Sequence, residues 1–157
     1  MSFTEDFFVF YDTETTGLDI NFSQIIQVGC VLTDNNFNIL EELNLNSKVL
    51  PWIVPSPDAF LVHKQTDCLE EGVSHFEMMK SLREKWLSWG KDKNLIFVTY
   101  NGHKFDEELV RRQFYWNLFD PYITNTNGNK RLDLMSLFQL IGNFYPAEIN
   151  IPEDEDE

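Results

Sequence analysis

Two short, continuous apolar runs constrain the fold of this chain more than any other feature. They are FFVFYD at residues 7–12 and NLIFVTY at residues 94–100. A strand that alternates apolar and polar residues can face water on one side, whereas a strand that is apolar at successive positions has to be covered on both faces. Sheets covered on both faces belong to α/β architectures, in which helices pack against the strands. The two runs therefore predict central strands of a sheet flanked by helices.

Two further strands are predicted between these runs. IIQVGCVLTD at residues 25–34 and FNILEELNLN at residues 37–46 are rich in β-favouring residues, and the two asparagines between them suit a turn. Together with residues 7–12 they predict a β-meander. Residues 47–63 contain three prolines and predict a loop.

Helical periodicity appears in three places. Ser74 and Glu77 have the spacing of a capping box, and large apolar residues then recur at helical intervals through residues 75–89. Residues 103–117 and 131–145 show the same period. The order βββ-α-β-α-α predicts an α/β layered domain with a mixed central sheet.

Length and composition limit the class of protein. A chain of 157 residues, 43% hydrophobic and 15% aromatic, suits one globular domain with a sizeable core. No apolar stretch approaches the roughly 20 residues of a membrane helix, and the start MSFTEDFF lacks the basic and apolar regions of a secretory signal. The two cysteines have no metal-type spacing, which suits a reducing compartment. We therefore expect a cytoplasmic protein without a membrane partner.

The charge balance weighs mildly against a nucleic-acid partner. Twelve basic and 26 acidic residues give a net charge of −14, whereas nucleic-acid binders usually present a basic face. Residues 153–157, EDEDE, carry five of the acidic charges and predict a disordered acidic tail. Divalent cations bound to carboxylates would offset more of the charge locally.

The end of the first apolar run, FYDTETTGLDI, carries the first candidate site. Asp12 and Glu14 lie two apart on a strand, so their side chains emerge on the same face, about 7 Å apart. Carboxylate oxygens of this kind suit Mg²⁺ or Mn²⁺. A solvated strand end explains an isolated D-x-E as well. Gly17, however, permits a tight turn, and the backbone N–H groups from Thr15 to Leu18 could meet a nucleotide there.

A second acidic position follows the other apolar run. The strand at residues 94–100 ends at Asn101, and Asp106 falls in the first turn or so of the next helix. If the two strands are neighbours in the sheet, Asp106 can point toward Asp12 and Glu14. Taken alone, Asp106 is explained equally by the favourable effect of an acid at a helix N-terminus.

Together, these stretches resemble the DEDD superfamily of 3′→5′ exonucleases, in its DnaQ-like branch. DTETTGLD is similar to the first motif of the superfamily, D-x-E-T-T-G, and TYNGHKFDEELVRRQFYW to the second, an Asn four or five residues before an Asp on a helix. RLDLMSLFQLIGNFYP is similar to the bacterial exonuclease I group, the single-strand-specific members. The resemblance covers about residues 7–152 and implies a ribonuclease H-like fold.

The resemblance also implies roles for individual residues. Asp12, Glu14 and Asp106 would be the catalytic acids and the metal ligands. The residues that would bind the substrate are Thr15, Thr16, Gly17, Leu18, Asn101 and Phe105. In the family two Mg²⁺ ions act together. The implied partner is single-stranded DNA, held through base stacking and backbone contacts.

The third motif of the superfamily has no counterpart in this sequence. That motif is a His or Tyr general base four or five residues before a fourth metal-binding Asp. All three histidines precede Asp106, and Tyr145 is followed by PAEI. We therefore expect residues 1–152 to form a C-terminally incomplete exonuclease domain that holds one metal ion. Loss of a positioned base costs on the order of 10²–10⁴ in rate, so we also expect impaired catalysis.

Two other classes of function bear on the same residues. A non-catalytic nucleic-acid-binding or interaction module could keep the fold, and the absent third motif favours it. A phosphatase with an Asp nucleophile usually shows D-x-D-x-T, and Glu14 in place of the second Asp disfavours that class.

Overall fold

A single mixed sheet organises the part of the chain that the computed structural model describes, residues 6–63 and 71–145. The strands are β1 Asp6–Thr15, β2 Ile25–Thr33, β3 Ile39–Asn46, β4 Asn94–Thr99 and β5 Lys130–Asp133. The helices are α1 Pro57–His63, α2 His75–Trp89, α3 Asp106–Trp116 and α4 Leu134–Phe144, with a short 3-10 helix at Ile123–Asn125.

The sheet has the strand order β3-β2-β1-β4-β5. β1 pairs antiparallel with β2 and parallel with β4. β3 adds antiparallel to β2, and β5 adds parallel to β4. The predicted meander, the mixed central sheet and the adjacency of the two apolar strands are therefore confirmed.

The core lies on one face of the sheet, beneath α2 and α3. Trp86 of α2 packs edge-on against Tyr11 of β1, Phe97 of β4 and Phe114 of α3, with ring centroids 4.8–5.8 Å apart. All four side chains are buried. The capping box at Ser74 and Glu77 is confirmed, and it fixes where α2 begins. Burial of these large rings is the main stabilising contribution to the domain.

The opposite face of β1 is covered less than the sequence predicts. Phe8 and Phe10 are only half-buried, so the expectation that both faces of this run are covered is wrong for the described residues. α4 contains no buried residue, although it is rich in apolar side chains. Within residues 6–63 and 71–145, no helix is long and apolar enough to cross a membrane.

Three predicted boundaries are wrong, for local and non-local reasons. Residues 57–63 form α1 rather than a loop, because Pro57 occupies the first helical position, where proline is tolerated. The predicted helix 103–117 begins only at Asp106. The predicted helix 131–145 is split, because Lys130–Asp133 pair with β4 as β5 before α4 begins. The acidic tail at 153–157, Cys68 and the domain boundary at 152 lie outside the described residues.

The buried side chain of His75, the first residue of α2, should make the stability of the domain depend on pH. Burial lowers the pKa of this side chain from 6.5 to about 4. Below pH 6.5 the unfolded chain binds a proton that the folded chain does not, so stability falls as the pH drops toward 4 and is fully present above 6.5. The contribution of His75 to this loss is about 3 kcal/mol.

The test compares urea unfolding of the wild type and His75→Phe between pH 7 and pH 4. The carboxylates titrate in both proteins, so the difference isolates His75. We expect the variant to gain stability relative to the wild type as the pH falls. A pH-independent difference would contradict the prediction.

Candidate functional site

Asp12 and Glu14 line an open cavity on the less covered face of the sheet. β1 alternates here, so that Tyr11 and Thr13 face the core while Asp12 is exposed and Glu14 is half-buried. The cavity has a volume of about 820 Å³, and apolar side chains of β1, β2 and β4 contribute to its floor. The predicted placement of the two acids on one face of a strand is confirmed, since both lie within β1.

Asp106 reaches the edge of β1 because β4 stops short of it. β4 ends at Thr99, and the chain turns before α3 begins at Asp106. The Asp106 carboxylate then accepts a hydrogen bond from the Thr13 hydroxyl at 2.5 Å and a further one from the Thr13 backbone N–H. Thr13 lies between Asp12 and Glu14, so this contact fixes α3 beside the candidate site.

Asp106 and Asp12 influence each other electrostatically. Burial, in the first place, and the nearby charge of Asp12 raise the pKa of the Asp106 carboxyl above its ordinary value. Hydrogen bonds from Thr13 act in the opposite direction. Two acids that repel in this way mark a place where a cation would be favourable. In the described ranges, however, no three His, Cys, Asp or Glu side chains are grouped closely enough to hold one metal ion.

The donor set nevertheless fits a hard divalent cation. The side chains facing the site offer carboxylate oxygens, the ligands that Mg²⁺ and Mn²⁺ prefer. Burial and the charge of Asp12 raise the pKa of Asp106, and a bound cation would oppose both effects. Asp12, Glu14 and Asp106 are the acids that would hold the ion, and to do so they would have to approach one another more closely than they do in the described structure.

The turn after β1 is firmly tied to the rest of the domain. The Thr16 N–H donates to the Gln24 carbonyl at 2.9 Å, and the Thr16 carbonyl accepts from the Ser56 N–H at 2.7 Å. The Thr15 hydroxyl donates to the Gly17 carbonyl at 2.8 Å. Thr15, Thr16 and Gly17 are buried, whereas the side chain of Leu18 is 86% exposed. The backbone N–H and carbonyl of Thr16 are therefore already hydrogen-bonded within the protein. The side chain of Leu18, in contrast, faces solvent.

A second carboxylate, Asp133, shapes the loop that carries Asn101. Asp133 caps α4 and accepts hydrogen bonds from the backbone N–H groups of Asn101 and His103, each at 3.1 Å. Burial alone would raise the pKa of Asp133, but these N–H groups and that of Ser136 together lower it below its ordinary value. Asn101 has a positive φ of 56°, a conformation that Asn tolerates. Phe105 precedes α3 and packs against the core.

Sequence reasoning missed a buried carboxylate next to Asp106. Glu107 is 1% exposed and accepts hydrogen bonds from Tyr11 at 2.6 Å, Thr124 at 2.6 Å and Arg131 at 3.1 Å. It thereby joins β1, α3, the 3-10 helix and β5 behind the site. Asp133 has a local signal, because it stands directly before the apolar run LMSLF, near the start of the predicted last helix. Glu107 had no local signal, because nothing in the sequence places Arg131 beside it.

The packing around Gly102 leaves no room for a side chain between Thr99 and Asp106. A Cβ at this position would lie 2.7 Å from the Thr99 Cβ and 2.8 Å from Oδ2 of Asp106. We expect Gly102→Ala to lower the free energy of unfolding by roughly 1–3 kcal/mol, since overpacking forces neighbouring groups to shift. Urea unfolding measures this. The matched control is Gly29→Ala, whose Cβ would meet nothing within 4 Å, and equal effects of the two changes would contradict the prediction.

The sequence of this chain is similar to those of a known family and of several known proteins. The sequence pattern of the RNase T family, described as exonuclease, matches residues 9–151. Exodeoxyribonuclease I of Buchnera aphidicola subsp. Acyrthosiphon pisum is 31% identical over 153 residues, which cover 94% of this chain and 36% of that protein. Exodeoxyribonuclease I of Escherichia coli K12 is 28% identical over 151 residues, covering 95% of this chain and 31% of that protein.

Solved structures agree with the sequence comparison. A product-bound exonuclease I superposes with a TM-score of 0.86 at 25% identity, covering 97% of this chain and 35% of that chain. E. coli exonuclease I in complex with a dA16 oligonucleotide gives a TM-score of 0.86 at 26% identity, covering 97% and 33%. The predicted ribonuclease H-like fold is confirmed. The chain spans about a third of the length of these relatives.

Proposed function

Because this chain belongs to the RNase T family of exonucleases, we propose that it acts as a metal-dependent 3′→5′ exonuclease on single-stranded DNA. The observation that carries this proposal is the meeting of Asp106 with the edge of β1 at Thr13, which brings its carboxylate close to Asp12. Family membership alone gives the class of reaction, whereas this contact supports Asp106 and Asp12 as parts of one site. The names of the relatives, exodeoxyribonuclease I, support DNA as the substrate.

Mg²⁺ or Mn²⁺ is the proposed cofactor, and Asp12, Glu14 and Asp106 are the proposed ligands. When bound, such an ion supplies charge stabilisation and an activated water for phosphodiester hydrolysis. The protein's own groups position the substrate, and one of them is the turn from Thr15 to Leu18 at the end of β1. Thr13 holds Asp106 in place, and Asp133 holds the loop from which Asn101 and Phe105 would contact the strand.

Single-stranded DNA is the proposed partner. One neighbour of known structure holds a dA16 oligonucleotide, and this supports a single strand over a duplex. The net charge of −14 makes bound cations important for the approach of a polyanion. Cys30 is a buried free thiol, and burial raises its pKa to about 12. An unoxidised thiol suits the cytoplasm, which we propose as the location.

The test is degradation of a single-stranded oligonucleotide labelled at its 3′ end or at its 5′ end. With Mn²⁺ or Mg²⁺ we expect immediate release of a labelled mononucleotide from the 3′-labelled strand and gradual shortening of the 5′-labelled strand. EDTA should abolish both. A duplex and an RNA of the same sequence are the controls for substrate class. Absence of cleavage with both metals would contradict the proposal, and binding without cleavage would support the non-catalytic module.

A further inference from the structure

A second cavity, of about 810 Å³, lies between the turn after β1, the segment at residues 50–54 and the start of α2. Among the described residues, it shares no lining residue with the cavity of Asp12 and Glu14. Four aromatic side chains of the described part of the chain line it, and we call it the aromatic cleft: Phe22, Trp52, Phe76 and Trp116.

The rings of the aromatic cleft are exposed to an unusual degree. Phe22 is 75% exposed, Trp52 74%, Phe76 50% and Trp116 43%. Large aromatic side chains are normally well buried, and several of them exposed around one concave surface indicate a binding site. The helical period of residues 75–89 predicts that the aromatic residues of this helix lie in the core, and this is wrong for Phe76, whereas Trp86 and Trp89 are buried.

His75 adds polar chemistry to this apolar wall. It lines the cleft and is only 4% exposed, and neither of its ring nitrogens has a hydrogen-bond partner among the described residues. A buried polar group without a partner is costly, so a ligand that reaches the His75 nitrogens through a small rearrangement of the cleft wall would gain their hydrogen bonds. Asn21 and Asn117 also line the cleft, and amide side chains can both donate and accept.

A planar ring with a polar edge matches this combination. Its faces would stack on the exposed aromatic side chains, and its edge would offer donors and acceptors to His75 and the two asparagines. A wholly apolar ligand would leave the His75 nitrogens unsatisfied. None of the described residues that line the cleft is acidic, although the chain carries a net charge of −14, so no carboxylate of the described lining repels the phosphates of a strand.

The cleft is also continuous with the turn at the end of β1. The Ser56 N–H donates to the Thr16 carbonyl at 2.7 Å, which joins the segment carrying Trp52 to that turn. The N–H groups of Phe22 and Ser23 both donate to the Asp19 carbonyl, so the part of the turn that presents Phe22 is closed on itself. The backbone that carries Phe22 and Trp52 is therefore tied to the turn before a ligand arrives.

We propose that the aromatic cleft binds a nucleobase of the single strand, at a position upstream of the 3′ end that reaches Asp12 and Asp106. Trp52 stacks on the base, and His75 hydrogen-bonds to its edge. The assignment of the strand rests on the proposed function. The base-binding chemistry rests on the cleft itself.

The experiment measures binding without cleavage. A 5′-fluorescein-labelled oligothymidylate of ten nucleotides is titrated with the protein in EDTA, and its anisotropy is followed. Stacking on one aromatic side chain contributes about a tenfold change in Kd, so we expect Trp52→Ala to weaken binding about tenfold. His75→Phe, which keeps the wall apolar, should weaken it about fivefold. The matched control is Phe37→Ala, an exposed aromatic residue outside the cleft, which should bind like the wild type.

An abasic strand separates base stacking from backbone contacts. The wild type should bind a ten-nucleotide abasic strand about tenfold more weakly than oligothymidylate, and Trp52→Ala should lose nothing further. Equal binding by Trp52→Ala and Phe37→Ala would overturn the proposal, as would absence of binding by the wild type. If the wild type cleaves the strand but Trp52→Ala binds it as tightly as the wild type does, the exonuclease proposal holds and the cleft proposal fails. If Trp52→Ala weakens binding but the wild type shows no metal-dependent cleavage, the cleft proposal holds and the exonuclease proposal fails.

Discussion

Replacement of Asp12 by Asn is expected to reduce the release of nucleotides from single-stranded DNA in Mn²⁺ by on the order of 100-fold or more. The substitution keeps the size of the side chain and removes the charge that acts on Asp106. A metal ion shared by the two acids would lose one of its anionic ligands, and Asn is a weaker ligand for a hard cation. The initial rate on a 3′-labelled strand measures the effect.

A neighbouring acid provides the matched control for Asp12. Glu42 of β3 lines the same cavity and is exposed, but it belongs to a strand that the proposed chemistry does not use. Glu42→Gln should cleave at close to the wild-type rate. Urea unfolding should show Asp12→Asn to be at least as stable as the wild type, because the repulsion with Asp106 is relieved. A folded Asp12→Asn protein that cleaves normally would exclude Asp12 as a ligand.

Replacement of Glu107 by Ala is expected to lower the free energy of unfolding by about 3–5 kcal/mol. The side chain is buried and accepts hydrogen bonds from Tyr11, Thr124 and Arg131. Its removal leaves the Arg131 charge and two hydroxyl groups without their acceptor, and the remaining groups cannot all reach water. The corresponding fall in the melting temperature is about 10 °C for a domain of this size.

The adjacent Glu108 separates the buried network from the general effect of an acid in the first turn of α3. Glu108 pairs with Arg111 at 2.7 Å, but its side chain is 40% exposed. Exposed pairs of this kind contribute at most about 1 kcal/mol, so Glu108→Ala should change stability little. If the two alanine variants unfold at the same urea concentration, Glu107 does not hold the site together. Loss of cleavage in Glu107→Ala at temperatures where it is folded would identify it as a positioning residue for Asp106.

Local patterns were sufficient for much of the fold. The apolar runs and their alternation located β1 to β4, because burial depends on the side chains of the strand itself. The capping box located the start of α2, because its two hydrogen bonds lie within four residues of chain. β5 escaped prediction because Lys130–Asp133 are strand only through pairing with β4, more than 30 residues earlier. α1 escaped prediction because the three prolines of residues 47–63 suggested a loop.

By itself the sequence indicated the class of chemistry, because it places acids at or after the ends of two apolar runs, in motifs typical of an exonuclease. Only the tertiary structure decided which acids meet. Parallel pairing of β1 with β4, and the end of β4 at Thr99, carry Asp106 to Thr13 and close to Asp12. Burial of Glu107 beside Arg131 and exposure of four rings in the aromatic cleft were equally outside the reach of local patterns. Each depends on contacts between residues far apart in sequence, and these contacts form only when the sheet has assembled.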